Sequence, residues 1–271
     1  MNTEEFAALE TIEYKACIDM YRAAPAEIVD AFDIDVQDID GATCLSFRKI
    51  NPTMIFRRAV GLGVARAATE DGLDRIADYM QSRGDRFAIP AADAARPAEL
   101  PDWLEARGLE RGYAWMKFSR PCDNPPDAGS VLDVRTVGPD HGADFGAIVT
   151  AAFGLPSGIV PWIGALAGRP NWICVLAFAA DMPVAAGAAF VDGSYAWLGF
   201  GGTLASHRRH GAQSALIVQR LREAAARGAV TAVTETGERL PDLPSNSYRN
   251  ILRAGFEECY LRQNWLSPET N

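Results

Sequence analysis

The sequence has little cysteine and histidine. It holds five cysteines and three histidines among 271 residues. The cysteines are scattered, odd in number and never in C-x-x-C spacing, at Cys17, Cys44, Cys122, Cys174 and Cys259. This pattern argues against a zinc site and against a disulfide framework, and it suits a reducing compartment. We therefore expect no bound metal.

Positive charge is also scarce. Lys and Arg number 26 against 35 Asp and Glu, which gives a net charge of −9. An acidic protein repels the phosphate backbone, so we expect no nucleic-acid partner. The clearest basic cluster, His207–His210, is too short to cover a duplex, but it could hold one small polyanion.

Long hydrophobic runs are absent as well. The most apolar stretch, Ile173–Phe190, is interrupted by Asp181 and Pro183, and it fits two strands around a turn better than a membrane span. The first ten residues are acidic and carry no apolar segment typical of a signal peptide. With 48% hydrophobic and 23% charged residues, the composition indicates a globular protein that we expect in the cytoplasm, away from membranes.

Residues 121–130 hold three prolines and a glycine, without a periodic apolar pattern. This composition is typical of a linker. We therefore predict an N-terminal domain over residues 1–120 and a C-terminal domain over residues 131–271.

The C-terminal part alternates strand and helix patterns. Strands are predicted near Val131–Thr136, over three segments between Trp172 and Thr203, over Val230–Thr236 and over Glu258–Trp265. Helices are predicted at residues 140–152, 211–227 and 247–254, with a loop and short helix at 153–169. The predicted order is β-α-(α)-β-β-β-α-β-α-β, an α/β architecture.

The N-terminal part holds signs of the same layout. Residues 104–110 (LEARGLE) are similar to residues 251–257 (ILRAGFE), and a tyrosine and then another aromatic residue follow each segment at matching spacing. A helix, a glycine and then a strand are common in any α/β protein, so coincidence is the alternative to an internal repeat.

The most informative segment is Trp197–Ser214 (WLGFGGTLASHRRHGAQS), where a strand pattern leads through arginines to a glycine that begins a helix. The first N–H groups of a helix lack internal partners and carry partial positive charge. Glycine lets a phosphate approach the backbone, and flanking arginines add charge-assisted hydrogen bonds. The pattern indicates an anion site, most naturally for a pyrophosphate. An ordinary turn with solvated arginines is the alternative. The segment contains neither a P-loop nor a G-x-G-x-x-G motif.

This segment resembles the acetyl-CoA signature Q/R-x-x-G-x-G/A of the GNAT superfamily of N-acetyltransferases, with Arg208 and Gly211 at its first and fourth positions. Residues 246–256 are similar to the superfamily's later motif, a short helix that ends in Gly-Phe. The resemblance covers about half of the chain, residues 131–271. It implies a GNAT fold with a mixed, mostly antiparallel sheet and helices on both faces. The internal similarity adds a degenerate N-terminal GNAT-like half.

The resemblance further implies that strand Tyr195–Thr203 diverges from Val230–Thr236 and that the pantetheine of acetyl-CoA lies between them. Backbone groups near Thr203 and Leu204 would pair with it, and one of their N–H groups would stabilise the oxyanion. The residues implied in cofactor binding are Thr203, Leu204, Arg208, Arg209, His210, Gly211, Ala212, Gln213 and Ser214.

Two positions depart from the family pattern. Gln213 replaces the second glycine of the signature, and its side chain needs a place, with the phosphate one option. Ile251 stands where many members have a tyrosine that protonates the leaving thiolate; Tyr248, one turn earlier, is our candidate for that acid, with an ordinary half-buried aromatic as the alternative. Glu235 is the candidate base, and a solvated glutamate at a strand end is its alternative.

Phe153 and Trp162, in a loop rich in aromatics, are candidate substrate-binding residues, although each could belong to the core. The predicted reaction moves an acyl group from acetyl-CoA to the amine of a small or amino-acid-like substrate. A CoA-binding pseudoenzyme or sensor and a nucleotide-binding module unrelated to CoA are the alternatives. In the N-terminal half, residues 67–72 are acidic where a phosphate would bind, so we expect no CoA there. The oligomeric state stays open, with a homodimer among the options.

Overall fold

The computed structural model of the protein describes residues 1–48, 56–84, 86–130, 132–241 and 246–268. The α-helices in these ranges are α1 Thr3–Arg22, α2 Ala26–Phe32, α3 Glu70–Ser82, α4 Leu100–Ala106, α5 Gly142–Phe153, α6 Val160–Gly164, α7 Ala212–Ala226 and α8 Asn246–Arg253. The strands are β1 Asp35–Ile39, β2 Ala42–Ser46, β3 Arg58–Val60, β4 Ala88–Ala92, β5 Glu110–Pro121, β6 Asp133–Val137, β7 Trp172–Ala179, β8 Met182–Asp192, β9 Tyr195–Thr203, β10 Thr231–Gly237 and β11 Glu257–Leu266. In the described part of the chain, no helix is both long and apolar enough to cross a bilayer.

The chain divides into two compact units. The first unit contains residues 1–22, 26–117 and the chain from Cys259 onward, and the second contains residues 23–25 and 118–258. The predicted C-terminal domain included the last strand, but β11 pairs antiparallel with β4, from Arg262 opposite Ala92 to Leu266 opposite Ala88. This pairing places most of β11 in the first unit. Val131, where the predicted domain starts, lies outside the described residues.

The first unit is built on the strand order β1-β2-β3-β4-β11-β5. Helix α3 packs against this sheet through an apolar face. Leu73, Ile76 and Met80 recur at helical spacing, and all three are fully buried in the apolar cluster of the unit. The charged residues Asp71, Asp74 and Asp78 are exposed, so α3 buries its apolar face and solvates the opposite one.

Buried charges also hold the first unit together. The carboxylate of Glu13, on α1, accepts hydrogen bonds from Lys117 and from Arg262, whose Nη2 lies 2.8 Å away. Burial by itself raises the pKa of Glu13, but the nearby cations outweigh it and hold that pKa far below the ordinary value. Because removal of one partner leaves a buried charge uncompensated, this cluster ties α1 to the sheet.

The second unit contains the strand order β10-β9-β8-β7-β6. Neighbouring strands are antiparallel except for the parallel pair β9 and β10. Strand β7 is buried along seven of its eight residues, as expected of a strand covered on both faces. Helices α5 and α7 pack against β8 and β9. The order β6-α5-α6-β7-β8-β9-α7-β10-α8-β11 confirms the element order predicted from the sequence.

The two similar sequence segments end their helices in the same way. After α4, the N–H of Gly108 donates to Glu105 O and that of Leu109 to Leu104 O. After α8, Gly255 and Phe256 make the corresponding bonds, and both glycines have positive φ, 75° and 81°. A left-handed residue at this position favours glycine, which explains why both segments carry one.

Candidate functional site

Strands β9 and β10 separate partway along their length. Their parallel pairing covers only Tyr195–Trp197 and Thr231–Val233, whereas β9 continues to Thr203 and β10 to Gly237. At the point of separation the hydroxyl of Thr234 donates to the carbonyl of Leu198 over 2.8 Å. The two strand edges beyond this bond enclose the gap that the sequence resemblance implied.

A bulge shapes β9 beside this gap. Its pairing with β8 shifts between Ala186 and Ala188, and Phe200 has φ of +55°. The extra residue of a bulge bends its strand and interrupts regular pairing. The bulge therefore helps to turn β9 away from β10.

Helix α7 begins at the end of the loop that follows β9. Arg209 and Gly211 both have positive φ, 69° and 78°, and Gly211 is the N-cap of α7. Because glycine has no side chain, the first N–H groups of α7 receive no capping bond from the N-cap residue. The side chains of Arg208, Arg209 and His210 are exposed. Exposed cations thus stand beside an open helix N-terminus, as predicted for an anion site.

Gln213 points back to the sheet. Its Nε2 donates to Thr203 Oγ1 over 3.1 Å, and a Cβ on Gly201 would lie 3.1 Å from its Oε1. The side chain of Gln213 therefore lies along β9. It does not point toward the phosphate site, which was the option considered from the sequence. Its backbone N–H stays in the first turn of α7.

The backbone of Leu204 is already paired within the chain. Its N–H donates to Val184 O over 3.0 Å, and its carbonyl accepts from His207 N over 2.9 Å. The N–H of Leu204 is therefore not available to an oxyanion in this structure, whereas its contact with pantetheine stays a prediction. Since backbone groups alternate between strand edges, Leu204 faces β8 and Thr203 faces the gap. Thr203 remains in the candidate site.

Ser130 is a site residue that the sequence analysis missed. Its Oγ lies 3.4 Å from His210 O and accepts the N–H of Leu132 over 3.2 Å. A Cβ on Gly211 would lie 3.2 Å from the Cβ of Ser130. The proline-rich segment that we took for a linker thus ends against the α7 N-terminus, and no motif in the sequence signals this contact.

Glu235 lies on β10 just past the point of separation. Its two carboxylate oxygens each lie 3.0 Å from Nε1 of Trp197, which donates to them from β9. Trp197 is buried and packs edge-on against Trp172 and Phe200. The indole N–H holds the carboxylate at the mouth of the gap, where a base is predicted.

Tyr248 is buried on α8, and its hydroxyl donates to Glu258 Oε1 over 2.6 Å. Burial, and then the hydrogen bond to this carboxylate, raise the pKa of Tyr248 to about 12. The phenol therefore keeps its proton at neutral pH. Ile251, at the family's tyrosine position, is buried. The acid role of Tyr248 stays a prediction.

The two candidate substrate residues differ in position. Phe153 ends α5 and is 45% exposed, and its ring lies 3.5 Å from where a Cβ on Gly202 would stand. It is therefore next to β9. Trp162 is fully buried. Because a side chain without exposed surface cannot contact a substrate, the structure corrects the expectation for Trp162 and makes it a core residue.

Arg220 is a second residue that the sequence analysis missed. It lies on α7 with 3% exposure, and burial lowers its pKa to about 10, so the guanidinium is charged near neutral pH. Its Nη1 donates to the carbonyls of Ala188 and Gly199 at 3.1 and 2.9 Å. The signal in the sequence is a single arginine among the apolar positions of the helix. Among the described residues, no cluster of His, Cys, Asp or Glu could hold a metal ion.

Comparison by sequence finds no matching family model and no matching curated protein. Comparison by structure does find relatives. A GCN5-related N-acetyltransferase from Kribbella flavida matches with a TM-score of 0.65 and 16% identity, over 98% of this chain and 96% of its own. A GCN5-related N-acetyltransferase from Sphaerobacter thermophilus gives 0.60 and 14%, over 86% of this chain and 82% of its own.

A third match spans nearly the whole of both chains. A tandem GNAT protein from the clavulanic acid biosynthesis pathway has a TM-score of 0.59 and 13% identity, over 99% of this chain and 96% of its own. Identities this low show the fold alone. With the divergent pair β9 and β10, they show that this chain has the GNAT fold. Among the described elements the order α-α-β-β-β-α-β-α-β runs from α1 to β5 and again from α5 to β11, so both halves have a GNAT-like layout.

Proposed function

We propose that the second unit is an acyl-CoA-dependent N-acyltransferase. It would move the acetyl or another acyl group of acyl-CoA directly to the amine of a small or amino-acid-like substrate. One observation carries the proposal: the uncapped N-terminus of α7, with exposed Arg208 and Arg209, adjoins the loop that leaves the gap between β9 and β10. That arrangement suits an anionic cofactor with an extended arm.

The diphosphate of coenzyme A fits the α7 N-terminus. The N–H groups of Ala212, Gln213 and Ser214 belong to the first turn, where backbone donors have no intrahelical partner. Arg208, Arg209 and His210 would add charge-assisted contacts. The hydroxyl of Ser130, beside Gly211, is a further donor within reach of this site.

The pantetheine arm fits the open edge of β9. Beyond Trp197 the strand pairing with β10 ends, and past the Thr234 bond to Leu198 Thr203 presents its backbone at this edge. An extended amide arm can pair with such an edge as an added strand does. Phe153, exposed beside Gly202, is our candidate for contact with the acceptor substrate.

The reaction itself forms a C–N bond and breaks the thioester C–S bond. The amine nitrogen attacks the thioester carbon, the carbonyl oxygen becomes an oxyanion, and the thiolate of CoA leaves as the carbonyl reforms. The nitrogen loses a proton and the sulfur gains one. Glu235 would take the amine proton, directly or through water, and Tyr248 is the candidate donor to sulfur. Holding the two reactants together supplies much of the rate enhancement.

Calorimetry with CoA and thiol release from acetyl-CoA over a panel of amines test this proposal. We expect heat on CoA addition and thiol release with at least one amine. The Glu235→Gln variant should bind CoA as the wild type does and lose turnover, because a neutral amide cannot accept the amine proton. Absence of CoA binding would refute the proposal.

A second candidate is a CoA-binding protein without transferase activity. The observation that favours it is the pairing of both candidate proton-transfer groups, Tyr248 with Glu258 and Glu235 with Trp197. This candidate predicts CoA binding with no thiol release on any amine. If the protein binds ATP and CoA does not displace it at any concentration, it would instead be a nucleotide-binding module.

A further inference from the structure

The guanidinium of Arg220 is buried, and none of its hydrogen-bond partners in the described part of the chain is acidic. Its Nε donates to Leu216 O over 2.9 Å, and Nη1 donates to Ala188 O and Gly199 O. All of these acceptors are backbone carbonyls, and burial is the one cause acting on its pKa. An isolated buried charge costs several kcal/mol, so an aliphatic side chain would serve packing better at this position.

Two glycines make room for this side chain. A Cβ on Gly187 would lie 3.0 Å from Cζ and Nε of Arg220, and one on Gly201 would lie 3.5 Å from Nη2. The guanidinium therefore lies against the sheet at the places where β8 and β9 lack side chains. Its two bonded carbonyls, one from each strand, flank the β9 bulge.

The geometry of the peptide links Arg220 to the gap. The carbonyl of Leu198 faces β10, because it accepts from Thr234, so the next carbonyl, that of Gly199, faces the opposite edge, where Arg220 binds it. In a trans peptide the C=O and the following N–H point in opposite directions. The N–H of Phe200 therefore points away from the guanidinium, toward the open edge of β9.

We infer that Arg220 is a positioning residue for acyl transfer: it fixes and polarises the Gly199–Phe200 peptide, so that the Phe200 N–H donates to the thioester oxygen. This inference rests on the proposed function. A hydrogen bond to one end of a peptide strengthens the donor at its other end. The developing oxyanion then meets a preorganised donor backed by positive charge. Arg220 neither gives nor takes a proton.

Infrared spectroscopy of bound acetyl-CoA, labelled with ¹³C at the thioester carbonyl, reads this polarisation without turnover. We expect the carbonyl stretch to shift to lower frequency on binding to the wild type. In Arg220→Met the shift should fall by at least half, while Kd for acetyl-CoA changes by less than about threefold. The matched control is Arg227→Met, because Arg227 is the exposed C-cap residue of α7 and likewise donates to two backbone carbonyls, Pro170 O and Trp172 O.

Kinetics give a second reading. Arg220→Met should lower kcat by about 10- to 100-fold with little change in KM for acetyl-CoA, the pattern of an interaction made in the transition state. Should Arg220→Met fail to fold, Arg220→Gln is the deciding variant, because it keeps a donor for a carbonyl but no charge. We expect a reduced frequency shift in it as well.

The outcomes separate the two proposals. No binding of acetyl-CoA to the wild type overturns both. Binding with a frequency shift that is unchanged in a folded Arg220 variant, or absent from the wild type, overturns the role of Arg220 alone. A parallel loss of shift in the Arg227→Met control would also overturn it, since the effect would then come from general damage to α7.

Discussion

The N-termini of α3 and α7 occupy equivalent places in the two halves of the chain, but their electrostatics are opposite. At α3, Thr69 is the N-cap and its side chain accepts the N–H of Gly72 over 3.0 Å. Glu70 and Asp71 fill the first turn, and Asp40 lies over it, 2.8 Å from where a Cβ on Gly72 would stand. At α7 the N-cap residue is Gly211, which offers no side-chain bond, and Arg208 and Arg209 precede it.

The same order of elements can therefore either block an anion site at a helix N-terminus or leave one accessible. At α3 the Thr69 hydroxyl accepts one of the first helix N–H groups, and the acidic side chains oppose a phosphate by charge. The α7 terminus leaves the same groups to solvent or a ligand. From the acidic residues 67–72 the sequence analysis predicted no CoA in the N-terminal half, and this stays a prediction.

The most direct test of this difference is to place an acidic residue at the N-terminus of α7, as the chain has at α3. Gly211→Asp should weaken CoA binding by about 100-fold, because it adds a carboxylate that repels the diphosphate and strains a position with φ of +78°. Calorimetry with CoA measures this effect. The matched control is Gly228→Asp, at the other end of α7, where φ is +90° and a Cβ meets nothing within 4 Å. Equal losses in both variants would contradict a specific role for Gly211.

A smaller effect is expected from the arginine that precedes the helix. Arg209→Asn should weaken CoA binding by about tenfold, since one charge-assisted contact is lost. Asparagine tolerates the positive φ of Arg209, 69°, so the backbone stays as it is. The affinity of the wild type should also fall more steeply with salt than that of the variant. Identical salt dependence in the two proteins would place Arg209 outside the anion site.

The reverse change, at α3, should affect stability and not ligand binding. Thr69→Ala removes the capping hydroxyl and should lower the free energy of unfolding by about 1 kcal/mol. Urea unfolding measures this loss. CoA affinity should be unchanged, because the site belongs to the second unit. Weaker CoA binding in this variant would show that the α3 terminus takes part in the cofactor site.

Periodic features of the fold were predictable from the sequence. The α7 strand-loop-helix segment, the glycine that follows α8 and the order of elements all follow from local patterns of apolar residues and turn residues. The fate of β11 was not predictable, because strand pairing is decided between segments far apart in the chain. Whether Glu258–Trp265 pairs within its own half or with β4 leaves no mark in its own residues.

The part of the candidate site that depends on local backbone conformation, the N-terminus of α7, was predictable from the sequence. A glycine beside arginines at a helix start is visible in the sequence, and the structure places those residues together. Hydrogen-bond partners were not visible. The bonds of Trp197 to Glu235, of Tyr248 to Glu258 and of Leu204 N to Val184 O each join different elements, whose packing no local pattern encodes. Trp162 was misassigned because an aromatic residue in a loop pattern looks the same whether exposed or buried.

The smallest expected effect is a change in stability, and it concerns a difference between α4 and α8, the helices that are followed by Gly108 and Gly255. The position of α8 that holds Tyr248 corresponds in α4 to Pro101, which has no hydroxyl. The pKa of Tyr248 is raised from its ordinary 10.0 to about 12 by burial and by Glu258. The folded protein thus binds this proton more tightly than the unfolded chain does. The resulting stability is complete below pH 10 and is lost as the pH rises toward 12.

Tyr248→Phe should therefore lower the free energy of unfolding by about 1 kcal/mol at neutral pH, the loss of one hydrogen bond, and the gap to the wild type should narrow above pH 10. Urea unfolding across this pH range measures both. The same variant tests the acid role, because a phenylalanine cannot protonate the thiolate and kcat should then fall. An unchanged kcat would assign Tyr248 to structure alone, and α8 would then resemble α4 in having no catalytic residue in its first turn.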